Sequence, residues 1–198
     1  MKINLTHKSA QEIKQKFSFF TEENWQTEKA NFNQNLEGIF SAKKDETFIV
    51  VEDEKVHFLI GLGENPQNFE IQASAEKFTY DFRKKLKATN TEINADSFKN
   101  HQIESLVKGL FLGTYEYPFK AEHPIFNADF QLILSDISEE NLQDLITKTS
   151  AICEGQFACM EWLNKPQNFK RVPHISEFLT EISTQYHFKQ TVFDRKKS

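Results

Sequence analysis

The chain has 198 residues, 38% of them apolar and 13% aromatic, with twenty phenylalanines, so it holds the material for a packed core and is not compositionally disordered. Its formal charge of -5 arises from acidic and basic residues mixed along the whole length, which argues against a phosphate-backbone surface and against nucleic acid as a partner. No basic segment followed by an apolar run opens the chain, and no apolar stretch is long enough to cross a bilayer, so a cytoplasmic protein without a membrane partner is expected.

Short apolar alternations over Lys2 to Thr6 and Lys14 to Phe20 suit strands. Thr47 to Val51 and Val56 to Leu62 are clearer strands, β-branched and apolar, joined by the polar Glu52-Asp53-Glu54-Lys55, which is short enough to turn a hairpin. Gly61-Leu62-Gly63 is expected to break the second run, and Ser74 to open a helix that reaches Leu86, with Lys and Arg near its end complementing the dipole. Thr91 to Ala95 then completes a β-α-β pattern. Ile103, Leu106, Val107, Leu110 and Phe111 recur at three-four spacing on one helical face, and Phe130 to Leu134 reads as a further strand. Such alternation predicts an α/β domain with helices packed on a parallel or mixed sheet.

From Ser138 the apolar positions Leu142, Leu145, Ile146, Ile152, Cys153, Phe157, Met160 and Leu163 keep helical spacing until Pro166 stops them. Pro173 opens another helix with Ile175, Phe178, Leu179, Ile182 and Tyr186 on one face, and Lys189 to Phe193 is expected to be a strand. A lone helix and strand cannot bury their apolar faces, so this tail reads as the opening of a second domain. Cys153 and Cys159, six apart on the long helix, are not placed to bridge and are expected to be reduced, buried thiols.

No reactive constellation emerges from the spacing. His7, His57, His101, His123, His174 and His187 are scattered, with no pair at metal-ligand spacing on one helix. Gly61-Leu62-Gly63 lacks the third glycine of a phosphate loop, and Glu64 beside it repels an anion. Asp136 and Ser138 suit a turn and a helix cap, Glu139 and Glu140 suit the positive end of that helix, and Phe17, Phe19 and Phe20 suit a core. No catalytic, cofactor-binding or metal-binding residue is therefore assigned within the chain.

Three segments, in order, resemble the amino-terminal region of the leucyl aminopeptidases. Val56 to Gly63 resembles the family's strand ending in a Gly-Leu-Gly turn, and Glu104 to Tyr115 its helix leading to Gly-x-Tyr. Ala158 to Asn168, with Asn164-Lys165-Pro166-Gln167-Asn168, is similar to the family's Asn-x-Pro-x-Asn junction, although Trp162, Lys165 and Gln167 depart from its usual residues. The resemblance implies a macro-domain-like mixed sheet flanked by helices over residues 1–137, a linker helix over 138–165, and over 166–198 the truncated start of a peptidase domain. It also implies that two divalent ions (zinc, manganese or magnesium), held by residues of Asp-Ser-Gly-Gly and Asn-Thr-Asp-Ala-Glu-Gly-Arg motifs, belong to the missing catalytic domain. Neither motif occurs in these 198 residues. The implied partners are that catalytic domain and further copies in a homo-hexamer, with an assembly or substrate-access role for this part. Two other readings stand beside it: a macro-like module binding an ADP-ribose-type ligand in the crevice after Gly63, and a stand-alone interaction protein whose tail completes one core.

Overall fold

The structure, a computed structural model, describes residues 2–6, 14–52, 54–86, 91–95, 98–115, 129–133 and 139–193. They form strands β1 (Lys2–Thr6), β2 (Gln15–Thr21), β3 (Thr47–Glu52), β4 (Lys55–Gly63), β5 (Thr91–Asn94) and β6 (Asp129–Ile133). The helices are α1 (Glu22–Glu28), α2 (Asn68–Leu86), α3 (Asn100–Leu112), α4 (Glu139–Asn164) and α5 (Val172–Gln185). The six strands make one sheet in the order β1-β6-β5-β2-β4-β3. All neighbours are parallel except β3, which pairs antiparallel with β4 as the expected hairpin. The anticipated α/β class with a mixed sheet, flanking helices and a long following helix is thus what the chain adopts.

Alternation along the strands sorts residues onto two faces. On the first, Phe17 and Phe19 of β2, Phe58, Ile60 and Leu62 of β4, and Ile93 of β5 share a core with Ile71, Ala75 and Phe78 of α2, with Ile103, Leu106, Val107 and Leu110 of α3, and with Leu142, Ile146 and Cys153 of α4. Aromatic rings meet edge-on here, Phe17 and Phe78 at 4.4 Å and Phe58 and Phe82 at 5.0 Å between centroids, the geometry that the ring quadrupole favours. Helices α2 and α3 approach closely because Gly109 and Gly113 face α2: a Cβ on Gly109 would stand 2.7 Å from that of Ala75, and one on Gly113 2.6 Å from that of Thr79.

The second face carries a smaller core of Phe20, Trp25, Leu36, Phe40, Ala42, Val50 and Leu59. Trp25 comes from α1, which Thr21 caps by accepting the Asn24 N–H at 3.1 Å. The indole Nε1–H of Trp25 donates to the Phe40 carbonyl at 2.8 Å, so its one polar atom is satisfied in the core.

Several expectations need correction. Gly61 does not interrupt the strand; β4 runs through it and ends at Gly63. The Gly61 N–H donates to the Glu46 carbonyl and the Gly63 N–H to that of Ala42. The 42–46 backbone therefore continues the pairing past β3, so close that a side chain on Gly61 would collide with the Lys43 carbonyl. Helix α2 starts at Asn68 rather than Ser74, because the Glu70 carboxylate accepts the Gln67 N–H at 2.9 Å and stabilises an earlier first turn. Lys189 to Phe193 forms no strand: it pairs with no described strand, and Phe193 is 89% exposed. Cys153 is buried as expected, but Cys159 is exposed. Residues 134–138, which hold Asp136 and Ser138, as well as His7 and His123, lie outside the described residues.

The chain divides into two compact units, Met1–Phe157 and Ala158–Ser198, with the boundary inside α4. In the second, Trp162 packs on Phe178 at 4.7 Å, and the Lys165 ammonium lies 4.2 Å from the Trp162 ring centroid. Pro173 occupies the first turn of α5 as predicted, yet the helix buries none of its residues, with Ile175 and Leu179 exposed.

Candidate functional site

Among the described residues of the first unit, two clefts have the size of a small-molecule site. One lies at the carboxyl end of β2 and β4, where parallel sheets place ligands. Its volume is about 560 Å³, and Thr21, Glu23, Glu64, Asn68, Lys99 and His101 are among its lining residues. This is the crevice after Gly63 in which a diphosphate ligand was considered. Two carboxylates, Glu23 and Glu64, line it. The start of α2, the natural anion site, already has the Glu70 carboxylate on the Gln67 N–H. Glu70 is further paired with the Lys44 ammonium at 2.6 Å, and that hydrogen bond, with the Gln67 N–H, holds its carboxyl below the ordinary range.

The other cleft, of about 510 Å³, opens on the second face of the sheet. Its floor is Lys16 and Ser18 of β2, His57 of β4 and Asn94 of β5; α1 and the turn after it supply Asn24, Thr27, Glu28, Asn31 and Phe32, and β3 supplies Glu52. Register explains the floor. Lys16 pairs with His57 on one side and Glu92 on the other, and Ser18 pairs with Asn94 one row on. The Lys16 Nζ stands 3.5 Å from Glu92 Oε1, with the Glu92 side chain only 4% exposed. Phe32 meets the His57 ring edge-on at 6.1 Å. Burial pushes the His57 pKa below its ordinary value, and the Lys16 charge lowers it further, so the ring is neutral at pH 7.

Of the described histidines, His57 lies in one cleft floor and His101 lines the other cleft, while His174 is half-buried and His187 exposed. The row His57, Lys16, Glu92 escaped sequence reading because it is made across three strands, and Glu92 lay in a segment read only as the last strand of a β-α-β pattern. Its signal was the even-numbered polar residues Lys16 and Ser18 interleaved with Phe17 and Phe19. Among the described residues no group of three His, Cys, Asp or Glu side chains is placed to hold a metal ion; these residues do not fit a two-metal centre. No described helix is long and apolar enough to cross a membrane.

No protein-family model and no curated protein matches the sequence. Solved structures do. A mutant of tomato leucine aminopeptidase superposes with a TM-score of 0.77 over 94% of this chain and 43% of its own, at 16% identity. Cytosol aminopeptidase from Coxiella burnetii gives 0.65 over 97% of this chain and 40% of its own, at 8% identity. A bottromycin maturation enzyme in complex with Mn gives 0.61 over 87% and 36%, at 13% identity. At such identities the likeness establishes the fold alone; the tomato and Coxiella burnetii proteins are aminopeptidases, as is the family that the Asn164 to Asn168 junction resembles. The chain shares the fold of the leucine and cytosol aminopeptidases and spans less than half the length of these relatives.

Proposed function

We propose that the chain is the non-catalytic amino-terminal part of a metal-dependent leucyl aminopeptidase. In this reading it takes a macro-domain-like fold over residues 1–137, a linker helix over 138–165 and the start of the peptidase domain over 166–198. The observation that carries this is the fold likeness to the tomato enzyme over 94% of the chain. The junction-like Asn164-Lys165-Pro166-Gln167-Asn168 at the end of α4 supports it. The whole enzyme would be cytoplasmic, would remove amino-terminal residues from peptides with two divalent ions held outside these 198 residues, and would assemble as a homo-hexamer. This part would help assembly or shape access to the site.

The test is hydrolysis of leucine p-nitroanilide with added zinc, manganese or magnesium. The 198-residue chain should release no p-nitroaniline, whereas the protein from the complete reading frame should, and should lose that activity to a chelator. Metal-dependent turnover by the 198 residues alone, or none by the complete product, would overturn the proposal.

A further inference from the structure

The cleft on the second face of the sheet is polar where a sheet face under a helix is ordinarily apolar. Phe20 and Leu59 on that face are buried against Trp25 and Phe40, but the adjoining positions are His57, Lys16 and Glu92 in one row and Ser18 and Asn94 in the next. A buried carboxylate costs several kcal/mol to desolvate, and local rules are commonly broken in this way at binding sites. The lining combines one ammonium, Lys16, with two carboxylates, Glu28 and Glu52, and with amide groups on Asn24 and Asn31; Phe32 adds an apolar wall. Glu28 Oε2 already accepts from Asn31 Nδ2 at 2.9 Å and Glu52 Oε1 from the Gln34 N–H at 3.2 Å, which leaves each carboxylate its other oxygen, and Asn31 its Oδ1, for a ligand.

That combination discriminates among ligand chemistries. A phosphate or diphosphate brings roughly one and a half to two or more negative charges to a single cation, and no positive charge of its own for the two carboxylates. A simple amine meets carboxylates but also the Lys16 charge. A zwitterion fits both signs: its carboxylate pairs with Lys16 and its ammonium with Glu28 and Glu52. The amides of Asn24 and Asn31 can satisfy a peptide group between them, since buried peptide groups need partners. The volume of about 510 Å³ leaves much of the cleft to water if only a free amino acid enters, and suits a dipeptide. We infer that this cleft is a binding site for a short peptide with both termini charged. The inference stands apart from the peptidase reading, because it concerns side chains of β2, β3, β4, β5 and the α1 region and needs no metal.

The experiment is calorimetric titration of the 198-residue chain with Leu-Leu, N-acetyl-Leu-Leu, Leu-Leu-amide and ADP-ribose. Leu-Leu should bind saturably at one site, each capped form about tenfold or more weaker, as expected for loss of one charge-assisted hydrogen bond, and ADP-ribose should give no heat. Because Lys16→Met exposes Glu92 to an unpaired buried charge, the diagnostic variant is Glu28→Gln with Glu52→Gln. It keeps an acceptor oxygen at both positions, and Glu28 is exposed. In it the preference for Leu-Leu over N-acetyl-Leu-Leu should collapse to about one while the melting temperature of the unliganded protein stays in place. No heat with Leu-Leu, a capped form that binds as tightly as Leu-Leu, saturable ADP-ribose binding, or a double variant that keeps the preference would each overturn the assignment.

Discussion

Lys16 and Glu92 set the most exacting condition at the scale of single residues. With the Glu92 side chain 4% exposed and Lys16 33% exposed, the pair contributes little net stability, yet removal of one partner leaves a buried charge. Lys16→Met is expected to cost about 3 kcal/mol in urea denaturation, and adding Glu92→Gln should restore most of it; a double variant as unstable as the single would show that Glu92 is not held by Lys16. His57 predicts a pH dependence. Burial, then Lys16 and Lys55, lower its pKa, against the opposing pull of Glu52 and Glu92. The unfolded chain therefore takes up this proton first as pH falls, so the His57 contribution is intact above about 6.5 and is lost below it, down through the folded pKa. Comparing denaturation midpoints at pH 7.5 and 5.5, His57→Gln should flatten the acid loss; an unchanged slope would contradict the assignment. The two thiols should also separate. Burial pushes Cys153 up to about 11, whereas Cys159 is exposed. A thiol reagent should therefore label Cys159 rapidly and Cys153 only on unfolding; rapid labelling of both would place Cys153 at the surface.

At the scale of elements, the glycines divide by what surrounds them. A methyl on Gly109 meets Ala75 and the Gln72 backbone, whereas one on Gly155 in α4 meets nothing within 4 Å. Gly109→Ala should destabilise by about 2 kcal/mol through overpacking of α2 on α3, and Gly155→Ala should stabilise by up to about 1 kcal/mol through helix propensity. Calorimetric melting of both variants checks the opposed signs. This contrast also explains what was legible in the sequence. The helical stripe of Ile103, Leu106, Val107 and Leu110 and the runs of β3 and β4 could be read because periodicity alone carries them. Helix α1 could not, since its seven residues hold one buried side chain, Trp25. The role of Gly61 was hidden because the segment that packs on it is a turn, with Asp45 at positive φ and the Glu46 N–H on the Lys43 carbonyl, and nothing in the spacing of Lys43, Lys44, Asp45 and Glu46 shows which strand such a turn meets. The Lys189 to Phe193 pattern misled for the reverse reason: β-branched alternation makes a strand only where another strand pairs with it.

For the whole molecule, the chain follows the aminopeptidase fold over 43% of the tomato enzyme's length, and the junction motif near Pro166 marked that likeness before any coordinates. What the motif could not convey was the polar floor of the second cleft, which depends on register among three strands. The division at Phe157, and an α5 that buries none of its residues, predict that residues 166–198 contribute little to the stability of the first unit. A chain ending at Lys165 should melt at the temperature of the full 198 residues in calorimetry; a large drop would favour a tail that completes a single core. The peptidase reading is tested most directly by sequencing the source gene beyond the codon for Ser198. In-frame Asp-Ser-Gly-Gly and Asn-Thr-Asp-Ala-Glu-Gly-Arg motifs are the result this account predicts, and a stop codon directly after Ser198 would contradict it.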